Sequence, residues 1–285
     1  MSWKNGKLKP MTVLTVALLV APFLRLGQAQ QENAANTFTP LEQWKQAVMA
    51  GDGVALKALY STDPATEVRA NGITGDATSD IDFWLGLKPK NITLEIVRFR
   101  QRENRASVIF NATISDGKKD LIVADSMGWL NEGGQWHIAA VERTDDPHLP
   151  QPTHMKKDIY PAHADALAEI KEAEEKASTG HKRILLVFGA NWCYDCHVLD
   201  LAFHRPDFAP IMSGYEVVHV DIGDDGKKNA EVAKQFDVPL DKGVPALAVV
   251  DSTGKVVVSQ KNGEFENARG LTAELLLAFL NKWKP

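Results

Sequence analysis

The sequence predicts two domains in series, an α+β domain followed by an α/β domain, and three observations carry that reading. At 285 residues the chain is long for a single hydrophobic core. Its apolar spacing changes from helical to period two near residue 93, then after residue 160 to strands alternating with helices. Between these patterns residues 144–158 (TDDPHLPQPTHMKKD) hold three prolines and no apolar period, the composition of an interdomain linker over 146–159.

The first residues are a leader by layout. Lys4, Lys7 and Lys9 precede an uncharged, mostly apolar run over 11–24, and Gly27-Gln28-Ala29 supplies small residues at cleavage spacing. Residues 1–29 therefore read as a signal peptide; the alternative is an uncleaved anchor, because Arg25 interrupts the approach to the cut site. The apolar run is short for a membrane span and no later segment could cross a bilayer, so the expectation is a periplasmic or secreted protein without a span after cleavage. Loss of 1–29 moves the net charge from −5 to −9. That acidity, with no basic stripe in the sequence, argues against nucleic acid as a partner. Residues 30–37 (QQENAANT) are polar and expected to be disordered. The chain has only two cysteines, adjacent in sequence, and so short a loop staples nothing distant. The pair points to chemistry rather than scaffolding.

In the first domain, over 38–145, Thr39 reads as an N-cap with Pro40 at the first helical position, and Leu41, Trp44, Ala47 and Val48 follow at helical spacing. A second short helix is expected over 54–60, a loop over 61–80 and a short helix over 81–87. Four strands over 93–100, 106–114, 121–130 and 136–143 are separated by Glu103-Asn104, Ser115-Asp116-Gly117 and Glu132-Gly133-Gly134. The stretch Gly128-Trp129-Leu130-Asn131-Glu132-Gly133-Gly134-Gln135-Trp136-His137-Ile138 resembles the closing hairpin of the nuclear-transport-factor-2-like (SnoaL-like) fold, a cone of helices on a curved antiparallel sheet. The resemblance implies a small-molecule ligand or a homodimer as possible roles. Tyr60, Asp82, Asp125 and His137 could face its cavity, but no spacing brings them together. Each reads as a satisfied core or surface residue, and no catalytic residue is assigned in this half.

The second domain, over 160–285, runs helix (161–178), strand (184–188), helix, strand (215–220), helix (230–236), strand (246–250), strand (255–259), helix (272–283). After the first strand Gly189-Ala190-Asn191 breaks the pattern and Trp192-Cys193-Tyr194-Asp195-Cys196 opens a helix. Cysteines three apart at a helix start can close a small disulfide ring. The first also sits where free N–H groups and the helix dipole favour a thiolate. Such a thiolate attacks a partner disulfide, and the second cysteine displaces the reduced product.

This order, with the CxxC after the first strand and Gly243-Val244-Pro245 before the third, resembles the thioredoxin fold, a central mixed sheet flanked by helices. The resemblance implies a thiol–disulfide oxidoreductase acting on protein thiols and disulfides. Cys193 is then the attacking thiol, Cys196 the resolving thiol, Trp192 their flank and Pro245 a cis proline beside the disulfide. Three positions depart from thioredoxin: Tyr194-Asp195 replaces Gly-Pro, Val187 stands where a buried Asp would be, and His219 where a Lys would be. Tyr194, Asp195, His197 and His219 are the candidates for redox tuning, with protonated His197 favouring the thiolate and Asp195 opposing it.

Other chemistries fit less well. Cys193-Tyr194-Asp195-Cys196-His197 also matches the CxxCH pattern of covalent haem attachment, with His197 and Met212 as conceivable axial ligands, but a strand precedes it and a βα pattern follows. No metal site is expected, since His148 and His154 lack a third ligand and one CxxC supplies too few. Asp221, Asp224 and Asp225 miss the spacing of a calcium loop. No cofactor is expected beyond the Cys193–Cys196 disulfide. The non-enzyme alternative is a ligand- or partner-binding protein whose CxxC is a passive redox latch.

Overall fold

The computed structural model describes residues 38–117 and 119–285. The expected signal peptide over 1–29 and disordered stretch over 30–37 lie outside the described residues.

Helix α1 (Thr39–Ala50) starts one residue earlier than expected: Phe38 is the cap residue in place of Thr39, and Thr39 and Pro40 are in the first turn. Gly51, at φ 67°, ends it in the left-handed region that glycine enters without strain. The Asp52 carboxylate then accepts the N–H groups of Val54 and Ala55 and starts α2 (Gly53–Ala58). Residues 61–80 are not the loop that their polarity suggests. They hold the hairpin β1 (Glu67–Ala70) and β2 (Ile73–Gly75) and the start of α3 (Ala77–Gly86). β1 is fixed by parallel pairing with β6, a long-range contact that no local pattern reveals.

The four expected strands are present as β3 (Asn91–Arg102), β4 (Arg105–Ser115), β5 (Asp120–Glu132) and β6 (Gln135–Asp145). The sheet order is β2-β1-β6-β5-β4-β3. One face packs Phe110, Met127, Trp129 and Ile138 against the helices, where Trp44 and Trp84 meet edge-on at 4.8 Å. The other face contributes Val97, Ile109 and Ala124 to the apolar cluster of the second domain, so the two halves share a core. A bulge between Ile96 and Arg98 shifts the register of β3. Before it Ile92, Leu94 and Ile96 join the helix-side core, and after it Phe99 does. Arg98, Arg100 and Arg102 are thereby turned to the opposite face.

The stretch over 146–159 forms neither helix nor strand, yet Leu149 and Pro152 are buried and tie it to the core, while His148 and His154 are exposed. The second domain follows as α4 (Ala166–Gly180), β7 (Arg183–Gly189), α5 (Tyr194–Phe203), α6 (Ala209–Met212), β8 (Tyr215–Asp221), α7 (Ala230–Gln235), β9 (Ala246–Val250), β10 (Val256–Ser259) and α8 (Ala273–Trp283). Its sheet has the order β10-β9-β7-β8, with β7 parallel to β8 and antiparallel to β9, the expected mixed sheet.

The polar groups singled out in the first domain do not form one site. Tyr60 donates to Asp80 Oδ2 at 2.7 Å, and Arg143 Nε donates to Asp80 Oδ1 at 2.9 Å, all within the core. Asp125 shares that core, but both of its carboxylate oxygens lack a partner, so it is not the satisfied residue expected. Asp82 is exposed on α3. His137 lines a separate surface cleft of about 610 Å³ with Phe38 and Trp136.

Burial, reinforced by the Asp80 charge, pushes the Asp125 carboxyl well above the usual carboxylate range. A carboxyl whose folded value is raised stabilises the fold below the unfolded value, roughly pH 4, and loses that contribution as pH rises. Asp125→Asn is therefore expected to unfold at higher urea than wild type at pH 7, with the difference vanishing near pH 4. Equal midpoints at pH 7 would remove Asp125 as a strained group.

Candidate active site

The apolar strand β7 ends at Gly189, and Ala190 to Trp192 turn the chain into α5, with Cys193 as its cap residue. Cys193 and Cys196 are joined in a disulfide, and the Cys196 N–H donates to Cys193 Sγ at 3.1 Å. That N–H is one of the unpaired donors of the helix start, so charge on Cys193 sulfur is stabilised where it would form. Cys193 is 5% exposed and Cys196 1%, so both residues are buried and Cys193 is the less buried of the two. The Val244–Pro245 peptide is cis, and the Val244 carbonyl oxygen lies 3.6 Å from Cys193 Sγ. Trp192 is fixed on two sides: its Nε1 donates to the Gly223 carbonyl at 2.9 Å, and its own carbonyl accepts from Arg98 of β3.

Val187 faces His219 across the β7–β8 register and brings no acid to the resolving cysteine. Tyr160, from the end of the linker, fills the space instead. Asn191 holds the Tyr160 backbone at both its N–H (2.9 Å) and its carbonyl (2.7 Å). A Cβ on Gly189 would lie 2.5 Å from the Tyr160 hydroxyl oxygen and 2.6 Å from Cys196 Sγ, so this glycine leaves room for both. The Tyr160 hydroxyl is buried without a hydrogen-bond partner, and burial holds its phenol far above the ordinary range. Its ring meets His219 edge-on at 5.2 Å, and burial pushes the His219 imidazole below its ordinary value. Tyr160 was not apparent in the sequence. The acid missing at Val187 is the signal that a polar substitute should be sought.

The expected tuning residues have other attachments. Asp195 takes four hydrogen bonds from Arg269, one from its backbone N–H at 2.8 Å and three from its guanidinium at 2.6–3.2 Å. Its charge is paired rather than opposed to the Cys193 thiolate. Arg269 extends to Ser126 of β5 at 3.0 Å and lies 4.4 Å over the Tyr194 ring. The Tyr194 hydroxyl is 2.8 Å from both Asn111 Oδ1 of β4 and Gln151 Oε1. Tyr194 and Asp195 thus fasten the CxxC helix to the first domain. The His197 ring nitrogens face the carbonyls of Cys193 (2.8 Å) and Lys156 (3.2 Å) in a buried setting, which leaves neither free to ligate a haem iron. Asp221 pairs with Lys228 at 2.9 Å, a structural contact within the turn after β8.

Removing one partner from a buried ion pair strands the other charge, which costs about 3–5 kcal/mol. Arg269→Ala is expected to lower stability to urea by that order, and Asp195→Asn in the same background to recover part of it. No recovery would mean that the loss comes from packing rather than from stranded charge.

Comparison with known proteins places this geometry. The family profile described as thioredoxin-like matches residues 165–252. A solved disulphide isomerase from Xylella fastidiosa is 38% identical, covering 44% of this chain and 95% of that one, with a TM-score of 0.41. The thiol:disulfide interchange protein DsbD of Campylobacter jejuni is 28% identical over 75 residues, 26% of this chain and 13% of that protein, so the chain spans only a small part of that relative. A nuclear-transport-factor-2-like protein from Cytophaga hutchinsonii aligns with 39% of this chain and 97% of its own at 17% identity, with a TM-score of 0.34. On the identity and coverage shared with the disulphide isomerase, together with the matched family profile, the C-terminal half of this chain belongs to the thioredoxin-like family.

Proposed function

We propose that the protein is an exported thiol–disulfide oxidoreductase that exchanges disulfides with protein partners through Cys193 and Cys196. The observation that carries this is the position of Cys193: at the start of α5, receiving the Cys196 N–H, beside cis Pro245 and less buried than Cys196. In the reduced protein the Cys193 thiolate attacks one sulfur of a partner disulfide, forming a mixed disulfide and releasing one partner thiolate. The Cys196 thiolate then attacks Cys193 Sγ, closes the internal disulfide and releases the second partner thiolate, so two electrons pass to the partner. Run backwards, the same steps oxidise a partner dithiol. The leader over 1–29 supports export, and protein partners are supported by the redox pair itself.

Tyr160 has a part in this exchange. When a thiol opens the internal disulfide at Cys193, the bond's electron pair goes to Cys196 Sγ, which is buried and needs a donor. The unpartnered Tyr160 hydroxyl, across the Gly189 gap, is the group placed to give it.

Two measurements check these roles. Cys193→Ser is expected to abolish insulin-disulfide turnover, whereas Cys196→Ser accumulates mixed disulfides that dithiothreitol releases. Turnover by Cys193→Ser at the wild-type rate would sink the proposal, and a wild type that cycles once without exceeding free dithiol would mark a passive latch. A hydrogen bond to a charged group is worth about 1.5–3 kcal/mol, which is roughly one to two pKa units. Tyr160→Phe, which keeps the ring, is expected to raise the Cys196 thiol by that much in a Cys193→Ser background, followed by thiolate absorbance. An unchanged titration would make Tyr160 a packing residue only.

A further inference from the structure

Trp192 forms one wall of a groove of about 590 Å³ whose other lining includes Arg98, Arg100 and Arg102 of β3. The single acid on that lining is Asp224. The groove continues over the outer face of the sheet into a second depression of about 500 Å³, where Arg105 joins the same three arginines. Ser107, Gly128 and Ala140 lie there in adjacent registers of β4, β5 and β6, so the floor is made of small side chains. Neighbouring strands are about 4.8 Å apart, and a floor three strands wide accommodates a few residues of extended chain.

The cations of this surface are not spent on internal pairs. Among the described residues no carboxylate lies within ion-pair distance of Arg98, Arg100, Arg102 or Arg105. Arg98 is held against the Trp192 carbonyl, but its Nε is buried and unpartnered. Burial and the neighbouring Arg100 push its guanidinium down to about 10, so it stays charged at neutral pH with its hydration partly removed. Four cations collected at one place in a chain of net charge −5 are a local reversal of the protein's own field. The sequence shows no basic stripe because these residues are interleaved with Phe99, Gln101, Glu103 and Asn104; the β3 bulge and the β3–β4 hairpin gather them on one face.

We propose that this arginine-lined surface is the docking site for an acidic segment flanking the disulfide of the protein partner. The proposal rests on the exchange reading given above and adds the partner's chemistry to it. Trp192 is both the wall of the groove and the residue before Cys193, so a chain lying along the arginines delivers its cysteine to the attacking sulfur. An acidic protein would otherwise repel such a partner, and the surface converts that repulsion into steering at the one place where contact is productive.

The test uses the full chain carrying Cys196→Ser, which stops the reaction at the mixed disulfide and so reads only the first step. Mixed-disulfide formation is followed by mass spectrometry with two peptide disulfides identical except for four flanking Asp or four flanking Lys residues, and with neutral hydroxyethyl disulfide. The Asp peptide is expected to react at least tenfold faster than the Lys peptide in low salt, with the advantage shrinking as salt rises. Arg100→Glu with Arg102→Glu is expected to reverse that order and leave the rate with hydroxyethyl disulfide unchanged. Equal peptide rates, or an order that survives the charge reversal, overturn the docking site. So does an equal arginine-dependent gain for glutathione disulfide, because the surface would then select anions and not a peptide segment. If hydroxyethyl disulfide fails to react at all, the exchange reading itself is what fails.

Discussion

Asp195 and Arg269 meet where three parts of the chain converge: the first turn of the CxxC helix, the C-terminal turn over 268–270 and, through Ser126, the sheet of the first domain. Taking two charges out of water is costly, and such a pair is tolerable only with close geometry and further hydrogen bonds. Here four bonds join the two residues, the Tyr194 ring lies against the guanidinium, and Arg269 reaches across to β5. The residues between the cysteines are therefore occupied with assembly. Their identity is dictated by what the neighbouring sheet offers, and the local field at Cys193 is left to the helix start and its N–H groups.

The sheet of the first domain consequently does two jobs with its two faces. Its helix side is an ordinary aromatic core around Trp44, Trp84 and Phe110. Its other side covers the redox helix with Val97, Ile109, Asn111 and Ala124. Where it packs on both sides, between its own helices and the redox helix, the sheet has little freedom to slip or tilt, since each side resists the movement. The cysteine pair is thereby set in a rigid frame built by both halves of the chain. What Cys193 meets is decided at the edge of that frame, by Trp192 and Arg98 on one side and Val244 on the other.

Much of this was legible in the sequence, for local reasons. The meander shows as period-two runs parted by Gly, Asn and Asp, and the redox half as apolar strands with CxxC and Gly-Val-Pro at the right junctions. What could not be read depends on distant partners. β1 and β2 are short, β2 is exposed with Ile73 72% exposed, and the hairpin owes its place to the pairing of β1 with β6. Asp195 looks like a redox modifier until Arg269, 74 residues further on, is seen to claim it. Tyr160 lies beside a proline-rich stretch, and its importance comes from the space left by Gly189 and the absence of an acid at Val187. Asp125 sits in a strand pattern that otherwise predicts a buried apolar residue, and only the fold shows that its carboxylate oxygens are buried without a hydrogen-bonding side chain.

The bulge in β3 has a consequence for how this chain can vary in length. Side chains in a strand alternate, so one residue more or less inverts every position beyond it. Loss of the extra residue, Val97, would leave Arg98 opposite Ile109 and Phe99 opposite Val108, so the bulge is a place in β3 where one residue can go without exchanging the two faces. Elsewhere in this strand insertions and deletions are borne only in pairs, or at its ends. The bulge thus absorbs one extra residue and keeps the inside and the outside of the sheet from changing places.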